Sequence, residues 1–199
     1  MEGKPFHTPQ QTRNPLSAFA FSPPGVTFET QDDSEEIILL LRRHWVTNSW
    51  WVFLTGVVLL IPPFLPTLLS LSGFDFWAQL NGEWRRIVWS IWYLLASGFA
   101  FSKFLNWYFN VYIVTNERII DVDFHGILFK KISESHLSRV QDITHRVGGL
   151  FPILFDYGEL MIKTAAEESD LEFERVPHPS QVHRIIGDLI QEESMEWEK

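Results

Sequence analysis

The chain has 199 residues, a net charge of −9 and no cysteine. The missing cysteine excludes disulfides, thiolate nucleophiles and Cys-ligated metal. Residues 109–199 carry 9 Lys and Arg against 17 Asp and Glu, so they lack the basic face that nucleic-acid phosphates or anionic lipid require.

Residues 1–31 are rich in Pro, Gln, Ser and Thr and are expected to form a flexible N-terminal tail. Residues 32–48 follow as an interfacial segment. Asp32 with Glu35 three residues later resembles a capping box. Ile37 to Leu41, then Arg42-Arg43-His44, reads equally as a short interfacial helix and as a strand or linker leading into a membrane. In the first reading Arg42 and Arg43 reach lipid phosphates.

From Trp45 to Phe74 there is no Asp, Glu, Lys or Arg, and from Ile87 to Ser102 there is none either. A spanning helix needs roughly 20 apolar residues. The runs therefore predict a transmembrane hairpin over residues 49–108, with helices at about 49–72 and 87–108. The second is completed if Lys103, a third candidate interfacial lipid contact, snorkels to the surface. Pro62, Pro63 and Pro66 remove backbone donors inside the first helix and predict a kink. Carbonyls freed there must find partners on the neighbouring helix or in water. Eight of the nine tryptophans lie between Trp45 and Trp107, many near the ends of the apolar runs, as in an aromatic belt. Arg42, Arg43, Lys103 and Arg118 flank the hairpin against Arg85 and Arg86 in its loop. This bias predicts a multi-pass protein of the cell membrane with both termini cytoplasmic. No signal peptide is evident in the first forty residues, so the first helix is expected to act as an uncleaved insertion signal.

After Phe109 the pattern alternates. Ile120, Val122 and Phe124 interleave with Asp121 and Asp123, and Leu171 and Phe173 with Glu172 and Glu174. This period of two predicts half-buried antiparallel strands at about 110–115, 118–124, 127–133, 140–147, 159–165 and 170–176. A terminal helix follows the Pro177-His178-Pro179-Ser180 stop, with Val182, Ile185, Ile186, Leu189 and Ile190 on one face. Residues 193–199 read as an acidic tail. Strands first and one closing helix is the order of an α+β fold in which the helix plugs a curved antiparallel barrel.

Specific words of the sequence carry a family resemblance. Tyr112-Ile113-Val114-Thr115-Asn116-Glu117-Arg118 opens the domain. Gly126-Ile127-Leu128, Ser138-Arg139-Val140-Gln141-Asp142, Gly158-Glu159-Leu160 and Val176-Pro177-His178-Pro179 follow in order. The series resembles the bacterial pleckstrin-homology-like (PH-like) domain family in its membrane-anchored form, with two transmembrane helices ahead of the domain. The resemblance implies an α+β membrane protein, a transmembrane hairpin followed by a PH-like antiparallel β-barrel over residues 109–192, and it implies no reaction. Tyr112, Thr115, Asn116, Arg118, Gly126, Arg139, Gln141, Asp142, Gly158 and Pro177 are its motif residues. They are read as determinants of fold: Thr115-Asn116 as a turn, Arg118 as a partner of Asp142 or Glu117, and Gly126 and Gly158 as tight turns.

No catalytic, cofactor or metal constellation emerges. The histidines make no ligand pair, Gly148-Gly149 is followed by no Gly-Lys-Ser/Thr, and Lys130-Lys131 is split across two faces of its strand. The expectation is a non-enzymatic, membrane-anchored binding or scaffolding module without a cofactor. Its partners would be the lipid bilayer and a protein or a second copy, not nucleic acid or a small-molecule substrate. The alternative is an oligomeric channel or transporter component, motivated by the kinked first helix and by Ala96, Ser97, Gly98 and Ala100, which permit close helix packing. A membrane-bound enzyme acting on lipid or envelope precursors lacks any residue constellation.

Overall fold

The computed structural model describes residues 16–28, 30–32, 34–73, 79–125, 129–165 and 170–197. Two short strands come first, β1 (Phe19–Phe21) and β2 (Ile37–Arg42). A 3₁₀ turn (Trp45–Asn48) leads into α1 (Ser49–Leu71), which is followed by α2 (Gly82–Phe109). Then come β3 (Val111–Thr115), β4 (Arg118–His125), β5 (Phe129–His136) and β6 (Val140–Arg146). A six-residue helix, α3 (Leu150–Phe155), precedes β7 (Tyr157–Thr164) and β8 (Leu171–Pro177), and α4 (Pro179–Trp197) closes the chain. The helix therefore continues through residues 193–197, which the sequence assigned to an acidic tail.

All pairings are antiparallel. One sheet has the order β1-β2-β3-β4-β5 and the other β6-β7-β8. The predicted α+β class with antiparallel sheets holds, but the barrel is not closed. Between β5 and β6 the chain turns a corner through a 3₁₀ turn, Leu137–Arg139, whose Leu137 is fully buried. That apolar anchor pulls the corner into the core and breaks the ladder.

The core lies between the sheets. Leu39, Leu41, Val114 and Ile119 from the first meet Leu160, Ile162, Leu171 and Phe173 from the second. Val182 and Ile186 of α4 are fully buried in the same cluster, with Ile185, Leu189 and Ile190 packed on it. The apolar stripe of α4 thus covers the core as its 3.6-residue spacing predicts. A second, smaller cluster forms on the far face of the five-stranded sheet, where Ala20, Ile37, Leu40, Ile113 and Ile120 are buried.

This second cluster explains two departures from the sequence reading. β2 is buried on both faces, so it reads as an unbroken apolar run rather than an alternation. Residues 19–21 are a paired strand, with Phe19 opposite Leu41 and Phe21 opposite Leu39, not part of a flexible tail; residues 1–15 lie outside the described residues. The folded domain does not begin at residue 109, because β2 sits between β1 and β3, and the helices α1 and α2 fall between β2 and β3 in the sequence. Arg42 pairs with Val111, so the two ends of the hairpin leave from one rung.

Candidate functional site

Among the described residues, α1 and α2 are the long apolar helices, and little of either is covered. The 27-residue stretch Trp45–Leu71 and the 28-residue helix Gly82–Phe109 are long and apolar enough to cross a membrane. Only 11 % and 6 % of their most apolar segments are buried within the protein. Core helices of a soluble domain would be mostly covered.

Helix α1 runs unbroken through Pro62, Pro63 and Pro66. Pro62 has no N–H to give to the carbonyl four residues earlier, which belongs to Val58. The indole Nε1–H of Trp92 on α2 donates to that Val58 oxygen at 3.0 Å. The neighbouring helix thus supplies a donor that the proline removed. Helix α2 starts five residues earlier than the charge-free run. Asn81 caps it by accepting from the Glu83 N–H at 3.1 Å, and Arg85 and Arg86 fall inside the helix. Ala96 is the buried residue of α2, whereas a Cβ on Gly98 would meet nothing within 4 Å.

The root of the hairpin is polar and dense. Arg42 is buried; its Nε donates to the Tyr108 carbonyl at 3.0 Å and its Nη1 to that of Ser17 at 3.2 Å. Its guanidinium lies 4.8 Å from the centre of the Tyr108 ring. Arg43 reaches Glu174 at 3.1 Å and Asp123 at 3.9 Å. The expectation that Arg42 and Arg43 contact lipid is therefore corrected. Both heads turn back onto the domain, because β2 is a buried strand and not an interfacial helix. Lys103 differs: it is exposed, with Nζ 5.6 Å from the Phe99 ring centre. It lies about 9 Å of helix rise short of Phe109, within snorkelling reach of the helix end.

Beside this root, Tyr112 stacks on Phe173 at 4.3 Å between ring centres, and its hydroxyl accepts from the Glu174 N–H at 3.0 Å. Burial pushes its phenol up from the ordinary value. Burial also pushes Asp121 up to about 6, with Asp123 adding to it. One Asp121 oxygen is buried with no hydrogen-bond partner among the described residues.

The opposite end of the sheet holds a second charged cluster. Glu35, a buried carboxylate, accepts from Arg118 Nε at 3.0 Å and Nη2 at 2.9 Å. The Thr115 hydroxyl donates to it at 2.7 Å. Burial alone would raise the Glu35 pKa, but the Arg118 and Thr115 hydrogen bonds reverse this and hold it below the usual carboxylate range. Arg118 also reaches Glu134 at 3.3 Å and the Thr30 carbonyl. Its partners are thus Glu35 and Glu134 rather than Asp142 or Glu117. The Asn116 side-chain oxygen accepts from the Glu36 N–H at 2.8 Å, and its amide donates to Ser34 O at 3.3 Å. Arg118 and Asn116 clamp the segment before β2 onto the β3–β4 turn. No sequence spacing reveals this, since the partners are about eighty residues apart.

The remaining motif residues are scattered and structural. The Arg139 carbonyl accepts from the Ala165 N–H at 2.9 Å. Gln141 sits at the register shift between Val140 and Asp142, and the exposed Asp142 carboxylate has the Thr144 hydroxyl at 3.5 Å. A Cβ on Gly158 would lie 2.6 Å from the Arg146 carbonyl, so only glycine fits there. Pro177 ends β8 opposite Tyr157. Gly126 lies outside the described residues. A cleft of about 210 Å³ beside Gly158 is lined by Arg146, Arg175, Glu159 and Tyr157, with Gly148 and Pro152. Among the described residues no three metal-ligating side chains cluster.

No curated protein matches the chain. Among solved structures it is similar to a DUF1696 family protein with a pleckstrin-homology domain from Shewanella loihica PV-4. That likeness has 20 % identity and a TM-score of 0.32, and covers 40 % of this chain and 69 % of the other. A family model, described as the bacterial PH domain, matches residues 50–190. The match takes in the hairpin and all but the first two strands, well over half of the 199 residues, and the chain belongs to the bacterial PH domain family.

Proposed function

We propose that this chain is a bacterial membrane protein whose hairpin crosses the bilayer twice. The hairpin would hold a PH-like binding or scaffolding module against the cytoplasmic face. The observation that carries the reading is the uncovered apolar hairpin leaving the sheet from one rung, Arg42 opposite Val111. At about 1.5 Å per residue, 23 and 28 helical residues give about 35 and 42 Å, enough for a hydrocarbon core of about 30 Å. Left in water, this surface would far exceed the few hundred Å² of apolar patch that soluble monomers tolerate. Because both ends arise from adjacent strands, two crossings return the chain to the side on which it began. The flanking basic residues favour the cytoplasm for that side.

In this proposal the module performs no chemistry of its own. Tyr112, Thr115, Asn116, Arg118, Gly158 and Pro177 among its motif residues are occupied in ladders, clamps and turns, and its acidic surface favours a protein partner or a second copy over nucleic acid.

The chain has no cysteine, so single cysteines report topology cleanly. Gln79→Cys, at the hairpin tip, is expected to react with a membrane-impermeant maleimide on intact cells. Ser194→Cys, on α4, is expected to react only after permeabilisation. The reverse pattern would overturn the orientation, and labelling of both sites on intact cells would overturn the crossing.

A further inference from the structure

Helix α3 is apolar throughout: Leu-Phe-Pro-Ile-Leu-Phe. Leu150, Phe151, Ile153 and Leu154 are 78, 63, 68 and 70 % exposed. Elsewhere outside the hairpin, exposed large apolar side chains such as Ile132, Met161 and Met195 occur singly on their elements. Among the described residues only α3 gathers four, and none of the described residues covers them.

What covers them follows from where α3 is fastened. Phe155, at its end, meets Trp45 edge to face, 6.3 Å between ring centres. Trp45 is the first residue of the apolar stretch Trp45–Leu71. Two residues after Phe155, Tyr157 stacks on His44 at 5.4 Å. Between them Asp156 takes the left-handed conformation that ends α3. Its carboxylate lies 2.6 Å from His178 Nδ1, and its carbonyl accepts from the His178 N–H at 2.9 Å. The loop is therefore clamped where the apolar stretch Trp45–Leu71 begins, and the short helix it holds there carries four bare apolar side chains. The exposed cations Arg146 and Arg175 line the cleft behind it, with Glu159 as the acid. An apolar face with cations at its back is the pattern of segments that lie in a bilayer interface.

We propose that α3 is a second membrane contact, a short wedge whose Leu150, Phe151, Ile153 and Leu154 insert into the interfacial layer of the phospholipid bilayer beside the root of the hairpin. It rests on the reading of the hairpin as membrane-spanning and adds a third point of attachment that fixes how the sheets face the lipid. The driving force is apolar burial rather than headgroup charge, so the acidic surface of the domain does not oppose it.

The full chain in phosphatidylcholine vesicles tests this with single cysteines carrying an environment-sensitive fluorophore. Lipids spin-labelled at a shallow or a deep acyl carbon serve as quenchers. A label at Leu154→Cys is expected to be quenched at least twofold more by the shallow lipid than by the deep one. A label at Leu60→Cys, midway along α1, is expected to show the opposite preference, and one at Ser194→Cys neither. If Leu60 responds and Leu154 does not, the wedge is overturned while the hairpin reading stands. If Leu154 ignores lipid but is shielded from aqueous iodide, a protein surface covers α3 and the wedge is again overturned. If Leu60 itself ignores both lipids, the spanning reading fails and the wedge with it.

Discussion

A chain cut to residues 109–199 is expected not to fold, although those residues contain six of the eight strands and the closing helix. The cut removes β2 from between β1 and β3. Leu39 and Leu41, both fully buried, leave the core at about 1.5–3 kcal/mol each. Leu40 and Ile37 leave the second cluster, β3 loses one of its two neighbours, and Arg118 loses Glu35. Against a total stability of about 5–15 kcal/mol for a domain, the sum removes most or all of it. A chain in which residues 44–109 are replaced by a short turn keeps β1, β2 and their pairing. Asn-Gly suits such a turn because it matches the twist of paired antiparallel strands. That version is expected to give a β-rich circular dichroism spectrum and a cooperative melt in mild detergent, and the truncated chain neither. A cooperative melt from 109–199 alone would mean that β2 is dispensable.

The second large effect is expected at the Glu35–Arg118 pair. Arg118→Ala removes both donors of a two-pronged contact and leaves the Glu35 carboxylate buried. Breaking a buried pair from one side costs about 3–5 kcal/mol, because the remaining charge is uncompensated. The loss has a pH signature. The folded-state pKa of Glu35 lies below its ordinary value of 4.5, so the pair's contribution is fully present above that value. It is lost as pH falls through the lower, folded value. The gap in unfolding free energy between wild type and Arg118→Ala should therefore be widest near neutrality and narrow in acid, where a protonated Glu35 tolerates its burial. Chemical denaturation at pH 7 and at pH 4 measures this. An equal gap at both pH values would assign the effect to the other contacts of the arginine, including its guanidinium 5.6 Å from the centre of the Phe28 ring.

The strands after residue 109 were legible because each presents one face to the core and one to solvent. β7 shows this most plainly, with Leu160 and Ile162 buried and Met161 and Lys163 exposed. The α4 stripe was legible for the same reason, at period 3.6. β2 was not, since burial on both faces erases the alternation that tells a strand from a helix. β1 is three residues long and gives no period. α3 has no such signature, because a six-residue apolar run between two strands is too short to show a helical period. Its exposure becomes visible only when Phe155 is seen against Trp45. The motif words were visible, but the reason for them was not. Arg118 and Asn116 matter through Glu35, Glu36 and Ser34, which lie on the other side of the hairpin in sequence and next to them in space.

The central claim is that the sheet forms across the hairpin, with β2 and β3 as neighbours. Engineered cysteine pairs in the 199-residue chain, in membranes or detergent, test it directly, again with no thiol in the sequence to interfere. Leu40 is opposite Ile113, and Ile113 is opposite Ile120. Facing residues in antiparallel strands have Cα atoms about 4.5–5.5 Å apart, within disulfide range. Under mild oxidation both the Leu40→Cys/Ile113→Cys and the Ile113→Cys/Ile120→Cys chains are predicted to close a disulfide, seen as a mobility shift reversed by reductant. Closure of the 113–120 pair with none at 40–113 would contradict the account, because it would leave residues 111–125 paired and β2 outside the sheet.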